Sequence, residues 1–469
     1  MRYLAFILAA LTTTELQAFD LAPKLVVNVT IDQLRSDYME AFNNFYSRYG
    51  FRRVIDGGLV YDGASYPFFP IDRSSSTATI ATGTTPFYHG IIGNQWLERK
   101  TLQPTGCVED EQHKASPSRL RTSTVGDELK VSTNGKALIY SFAVNKESAI
   151  LSGGHAANGA FWLGDNGLWT SSSYYGKSLP KWIKDYNKEF ERLQKKREMY
   201  QNNDNVVDVV LDALQHTELG QDEYTDMLNI TLTATPPNGK AESDWQKDMS
   251  SVYHELDFSL GRIINSIEKR VGLNQVLFVI TSTGYNDEKP ADLKQYRIPS
   301  GTFYINRTAS LLNMYLGAIY GQGRYVEQCF SNEIYLNHRL IEQKRLSMHD
   351  ILNRSQEFLL QNAGVADVYT SERLLAGNND IQLIRAGFNP TLSGDIIINI
   401  APGWRLLNEN TQQTFTSRAN IVPFPIIFFG AGIKHDKIST PVTVDRIAPT
   451  IAKTIRIRAP NACSATPLF

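Results

Sequence analysis

Cysteine is scarce in this chain: only Cys107, Cys329 and Cys463 occur in 469 residues. So few exclude a disulfide framework, and they lack the spacing of a zinc site. A single disulfide stays compatible with an oxidising compartment, with its pairing unreadable from sequence. An excess of either charge is also missing. Lys and Arg number 47 against 48 Asp and Glu, a formal net charge of −1, so no global basic field draws nucleic acid or an anionic membrane surface. After the N-terminal apolar run no segment approaches about 18 uninterrupted apolar residues, which excludes a transmembrane helix from the mature chain. Internal repeats and low-complexity tracts are absent as well.

What is present is an ordinary globular composition, 42% apolar and 20% charged, long enough for one large core with insertions. Residues 1–18 have the form of a secretory signal peptide. Arg2 supplies the positive start, 3–11 a short apolar run, and Leu16-Gln17-Ala18 a small-residue cleavage site before Phe19. The expectation is export to the periplasm, the cell surface or the medium, without a lipid anchor because no cysteine follows the run. Residues 19–469 are expected to form a single domain.

Continuous apolar runs at 25–31, 137–142, 227–232, 276–281, 396–400 and 426–429 predict strands of a sheet covered on both faces. Helical periodicity lies between them, in Val252, Leu256, Leu260, Ile263, Ile264 and Ile267 and again over 447–455. This alternation predicts an α/β/α sandwich around a largely parallel sheet. Two stretches interrupt it as insertions: about 96–121, polar and turn-rich, and about 174–201, aromatic and then highly charged. The cations of the second, Arg192 and Lys195-Lys196-Arg197, read as a solvated helix face rather than an anion patch. The aromatic group Trp162, Trp169, Tyr174, Tyr175 and Trp182 reads as insert core, with a cleft lining as the alternative.

The strand at 25–31 ends in Asp32, at the carboxyl edge where open α/β sheets place ligands. Downstream, 81–94 reads ATGTTPFYHGIIGN. Then follow Ala149-Ile150-Leu151 with GHAANGA at 154–160, Glu218-Leu219-Gly220, Ser393-Gly394-Asp395 with Pro402-Gly403-Trp404, and DRIAPT at 445–450. In this order the motifs resemble the alkaline phosphatase superfamily, in its type I phosphodiesterase and nucleotide pyrophosphatase branch. The likeness is greatest to the phosphate-irrepressible alkaline phosphatases and covers about 24–469.

That resemblance implies two zinc ions roughly 4 Å apart, clamping the attacking and leaving oxygens of a phosphate ester. It also implies six Asp and His ligands, a Thr or Ser nucleophile at a helix N-terminus, and an Asn, Lys and Arg for the phosphate oxygens. Position by position, Asp32 matches the first metal ligand and Asn94 the phosphate-binding Asn. The nucleophile falls on Arg73, which cannot attack phosphorus. Ser74, Ser75 and Ser76 would replace it only by a register shift, and a serine run here is more simply a helix N-cap. The Lys and Arg fall on Asn145 and Glu147, and alternation along an extended chain sends Lys146 to the other face. The remaining ligands fall on Pro236, Lys240, Ser282, Thr283 and Thr414, none of them a zinc donor. His89 and His155 lie in motifs of structural role, the other histidines lie outside the ligand positions, and Asp287 and Glu288 read as an exposed acidic turn.

An Asp32 stripped of zinc would be a buried unpaired carboxylate, which costs several kcal/mol. One of the new cations, Arg73 rather than Lys240, is therefore expected to pair with it. The functional expectation is a pseudoenzyme that needs no cofactor and binds an envelope or periplasmic protein, a peptide or a glycan in the old cleft. The alternative is an active hydrolase of phosphate, phosphodiester or sulfate esters with remapped zinc ligands; a metal-free enzyme unrelated to the family finds no Ser/His/Asp or Cys/His arrangement to support it.

Overall fold

The computed structural model describes residues 22–194, 203–235, 245–286, 299–377, 379–415 and 420–469. The signal segment, Pro236, Lys240, Asp287, Glu288 and the 195–197 cations lie outside them. No helix among the described residues is long and apolar enough to cross a membrane.

The apolar runs become a ten-stranded sheet. Its strands are β1 (Leu25–Asp32), β2 (Leu59–Ser65), β3 (Ile139–Ala143), β4 (Gly159–Leu163), β5 (Trp169–Thr170), β6 (Asp226–Thr233), β7 (Val276–Ser282), β8 (Phe424–Gly430), β9 (Asp436–Ile438) and β10 (Val442–Thr443). The order is β9-β2-β8-β7-β1-β6-β3-β4-β5, with β10 beside β2. The five strands from β7 to β4 are mutually parallel, and β8 runs antiparallel beside β7. Alternate residues of β1 enter opposite cores: Val27, Val29 and Ile31 pack with Val206, Val210, Leu256 and Ile263, whereas Val26 packs with Val125, Ile447 and Ile451. Both faces are thus covered by helices, which is why these strands read as uninterrupted apolar runs.

One expected strand sits elsewhere. Ile396–Ile400 belongs to an antiparallel four-stranded sheet with Val326–Phe330, Glu333–Leu336 and Val365–Thr370. Together with a three-stranded sheet and the helices Ile305–Tyr320 and Met348–Leu360, it builds a cap between β7 and β8. The cap has its own core of Leu312, Leu316, Ile351, Val368 and Ile398. Ile397 points to the other side, against Leu374 and Phe388, so this strand too is sandwiched and its sequence carries no sign of which sheet it joins.

The first interrupting stretch forms short hairpins, including Gln95–Glu98 with Gln103–Gly106. The second contains the helix Lys181–Gln194, on which Arg192 pairs with Glu189 and Lys188 lies 3.8 Å from Asp185. Trp169 is buried in the main core, Trp182 stacks on His216, and Tyr174 and Tyr175 donate to the carbonyls of His155 and Gly154. All three cysteines are free thiols, two of them buried.

The histidines of the shared motifs hold the scaffold. Fully buried His89 receives the Ile91 N–H at Nδ1 and faces the Thr79 hydroxyl at Nε2, and burial pushes its pKa down to about 3. His155 instead donates from Nδ1 to Asp127 at 2.9 Å and from Nε2 to the Leu120 carbonyl. The bond to Asp127 raises its pKa, and despite opposing burial the same contact lowers that of Asp127. The imidazolium contribution is complete below the unfolded histidine pKa and fades as pH rises through the raised folded one. The carboxylate contribution is complete above the unfolded aspartate pKa and fades as pH falls through its lowered one. The destabilisation caused by His155→Gln is therefore expected to be larger at about pH 5.5 than at about pH 9. Urea melts of parent and variant at both values test this, and equal gaps would reject the charged pair.

Candidate functional site

The carboxyl edge of the parallel strands gathers the candidate residues. Parallel register sets Asp32 beside Thr233 of β6 and Ile31 beside Ser282 of β7. Helix α1 (Arg73–Thr82) begins over the same edge, and α2 (Lys146–Gly153) begins after β3. Asp32, only 1% exposed, is followed by Gln33 at φ 63°, which turns the chain sharply at the strand end.

The cap of α1 is Asp72, not a serine. One Asp72 oxygen accepts the Ser75 N–H at 2.9 Å and the Ser75 hydroxyl at 2.8 Å, and Ser75 accepts the Asp72 N–H in return. The other oxygen takes the Asn94 N–H at 2.6 Å, tying the Asn94 loop to the helix start. Arg73 thereby becomes the first helical residue, and Ser74 to Ser76 follow it inside the first turn. Each serine is engaged: Ser74 donates to Asn94 Oδ1 at 2.5 Å and receives the Cys107 thiol, and Ser76 donates to the Thr283 carbonyl.

The expected ion pair is present. Arg73 Nε donates to Asp32 Oδ2 at 2.8 Å, and Thr283 Oγ1 donates to Asp32 Oδ1 at 2.8 Å while accepting the Gln33 N–H. Burial works against the Arg73 charge, but Asp32, with Tyr285 and Glu147 nearby, more than offsets it. Thr283 is the second partner that the sequence reading did not assign. Its only signal was its position at a strand end next to Asp32. Ser282 serves the backbone instead, donating to the Leu34 carbonyl.

Two placements differ from expectation. The segment at 145–147 is not extended: Asn145 is the cap residue of α2, with no side-chain capping bond, and Lys146 and Glu147 open its first turn. Helical geometry lets both line the cleft, their charges 4.0 Å apart. The aromatic group of the second insertion lies away from the cleft. The cleft's aromatic lining comes from Phe69, Trp96, Tyr285, Phe330, Tyr369 and Phe415 instead.

The cleft lies between the sheet edge and the cap and has a volume of about 540 Å³. Arg73, Asn94, Lys146 and Glu147 line one side; Asn332, Glu333, Asn399, Gln413 and Thr414 line the cap side. Arg99, on the hairpin, fastens the two by pairing with Asp395 Oδ1 at 3.2 Å and stacking over Tyr335, while His338 Nε2 meets the same oxygen at 2.8 Å.

Residues 26–420 match the sequence profile of type I phosphodiesterase / nucleotide pyrophosphatase. The chain belongs to this family, within the alkaline phosphatase superfamily. Its relatives include a protein named calcium-transporting ATPase from Myroides odoratus, 27% identical over 95% of this chain and 94% of the other. Alkaline phosphatase PhoV of Synechococcus elongatus is 26% identical over 94% and 91% of the two chains. The crystal structure of alkaline phosphatase PafA superimposes with a TM-score of 0.81 at 22% identity, covering 95% of this chain and 98% of that one. Murine ectonucleotide pyrophosphatase / phosphodiesterase 5 does so with a TM-score of 0.54 at 12% identity, over 93% and 96%. The shared fold is therefore the α/β/α sandwich with its parallel sheet and cap.

The metal pair of this family does not fit the residues described here. Both oxygens of Asp32 already accept short hydrogen bonds, one from a guanidinium. Among the described residues no three His, Cys, Asp or Glu side chains converge on one point. Ser282, Thr283 and Thr414 offer only hydroxyls, which are poor zinc donors.

Proposed function

We propose that this chain is an exported pseudoenzyme of the family, a scaffold that binds a ligand or partner in the cleft and does not hydrolyse phosphate esters. The observation that carries the reading is the Arg73–Asp32 pair at the start of α1. By position in the family pattern, a guanidinium stands where an attacking hydroxyl is needed and spends its Nε on the first ligand carboxylate. A phosphate-monoester hydrolase must lower a barrier by roughly 20 kcal/mol, and oxyanion-type donors such as Asn94 supply about 3–4. Glu147 then adds a negative charge where a phosphoryl group would rest. The N-terminal 18 residues support export, and the cap-to-core cleft supports retention of a binding role. The partner class is an envelope or periplasmic protein, a peptide or a glycan.

The test is direct. Purified mature protein, incubated with zinc and dialysed, is expected to retain no stoichiometric metal by elemental analysis. It should also release no product from aryl phosphate, bis-aryl phosphate diester or aryl sulfate above buffer. About two zinc ions per chain with zinc-dependent turnover would replace this reading with that of a hydrolase using remapped ligands.

A further inference from the structure

The polar groups facing the cleft differ in sign and in hydrogen-bonding kind, and that mixture restricts what can bind there. Four carboxylates, Asp72, Glu109, Glu147 and Glu333, stand among two cations, Arg73 and Lys146. An anionic group brought to Arg73 meets Glu147 beside it. A cationic group brought to Glu147 meets Lys146 and Arg73. Repulsion from the neighbouring like charge offsets part of what a ligand of either sign gains at these positions, so the wall does not select for a net charge.

Unspent donors and acceptors both line the wall. Arg73 uses only Nε for Asp32, so both terminal guanidinium nitrogens make no hydrogen bond among the described residues. Asn94 spends Oδ1 on Ser74, leaving its amide N–H groups as donors. Glu147 lies 4.0 Å from Lys146 and makes no closer ion pair among the described residues, and the exposed carboxamides of Gln95 and Gln413 make no side-chain bond among them. Phe69 and Phe415 add half-buried apolar surface. A hydroxyl donates and accepts at once, so a ligand bearing many hydroxyls can meet such a wall without bringing a charge into it. The ring faces of a sugar then have aromatic carbon to cover them.

We infer that the cleft is a subsite for an uncharged oligosaccharide, held by the Arg73 fork, the Asn94, Gln95 and Gln413 carboxamides and the Glu147 carboxylate. This rests on the pseudoenzyme reading and names the ligand class within it. The volume of about 540 Å³ is within the range of small-ligand sites.

Calorimetric titration of the mature chain tests this. The neutral probes are maltohexaose, cellohexaose, laminarihexaose and the hexamer of N-acetylglucosamine; the charged ones are oligogalacturonate, a lysine-rich peptide and an aryl phosphate. At least one neutral probe is expected to saturate the protein, and Glu147→Ala and Gln413→Ala should each weaken it about tenfold, the worth of one hydrogen bond to a charged or well-placed polar group. Both side chains lie on the cleft surface, and unchanged thermal melts would show that folding is intact. Binding of charged probes alone, binding of none, or neutral binding that survives both substitutions would overturn the inference. Zinc-dependent hydrolysis would instead remove the pseudoenzyme reading beneath it, so the two failures are told apart.

Discussion

Replacing Arg73 with alanine is expected to cost about 3–5 kcal/mol of folding stability, the usual penalty for leaving one member of a buried pair uncompensated. The carboxylate side chain of Asp32 is 2% exposed and the Arg73 side chain 24%, so water cannot reach Asp32 freely once the guanidinium is gone. Among the described residues Thr283 would remain as its one side-chain donor, and a neutral hydroxyl does not balance a charge. The double variant Arg73→Ala with Asp32→Ala should recover much of the loss, because it removes the charge as well as its partner. Urea unfolding of the two single variants and the double variant gives the coupling. Additive losses would mean that the two side chains act independently.

A comparable loss, about 3–5 kcal/mol, is expected for Asp395→Ala. This carboxylate is 4% exposed and accepts from Arg99, from His338 and from the backbone N–H of Leu336. Its removal leaves the buried Leu336 amide without its side-chain acceptor and takes the ionic partner from Arg99, which among the described residues keeps only the Ser393 carbonyl, and from the largely exposed His338. The hairpin would lose its ionic hold on the cap, so limited proteolysis should cut the cap of the variant under conditions that spare the parent. Asp395→Asn, which keeps an acceptor for Leu336, should lose less. The His338 pKa is raised by its bond to Asp395, so that part of the stabilisation is present below the unfolded histidine pKa and declines as pH rises through the folded one. An uncut cap and an unchanged melt in Asp395→Ala would show that the apolar contacts alone hold it.

The layout of the central sheet was legible because its strands are sandwiched. Residues 25–31, 227–232 and 276–281 present apolar side chains to both helical layers, and few other environments demand that. The same property misplaced Ile396–Ile400, since the cap sheet is covered on both sides as well. The Asp32–Arg73 pair could be anticipated from one physical requirement, that a strand-end carboxylate without metal needs a cation. Thr283 escaped that reasoning because a hydroxyl bond to Asp32 depends on the turn at Gln33, which no residue pattern announces. Lys146 was misjudged through local geometry: an extended chain alternates faces, but the first turn of a helix fans consecutive side chains over about 100°. Assigning the serines to the cap failed because Asp72, one residue before Arg73, is the better acceptor in place. Nearly half of the cleft wall comes from residues after 329, distant in sequence, and only the docking of cap on core assembles it.

The counter-charge at the strand end is itself a side chain of the same polypeptide. Each copy therefore carries that charge from synthesis, in fixed one-to-one proportion, and the Asp32 carboxylate is neutralised by folding alone. A chelator has no purchase on a guanidinium, so loss of ions from the surroundings leaves this contact in place. The pairing makes the integrity of this corner of the sheet a heritable property rather than an environmental one.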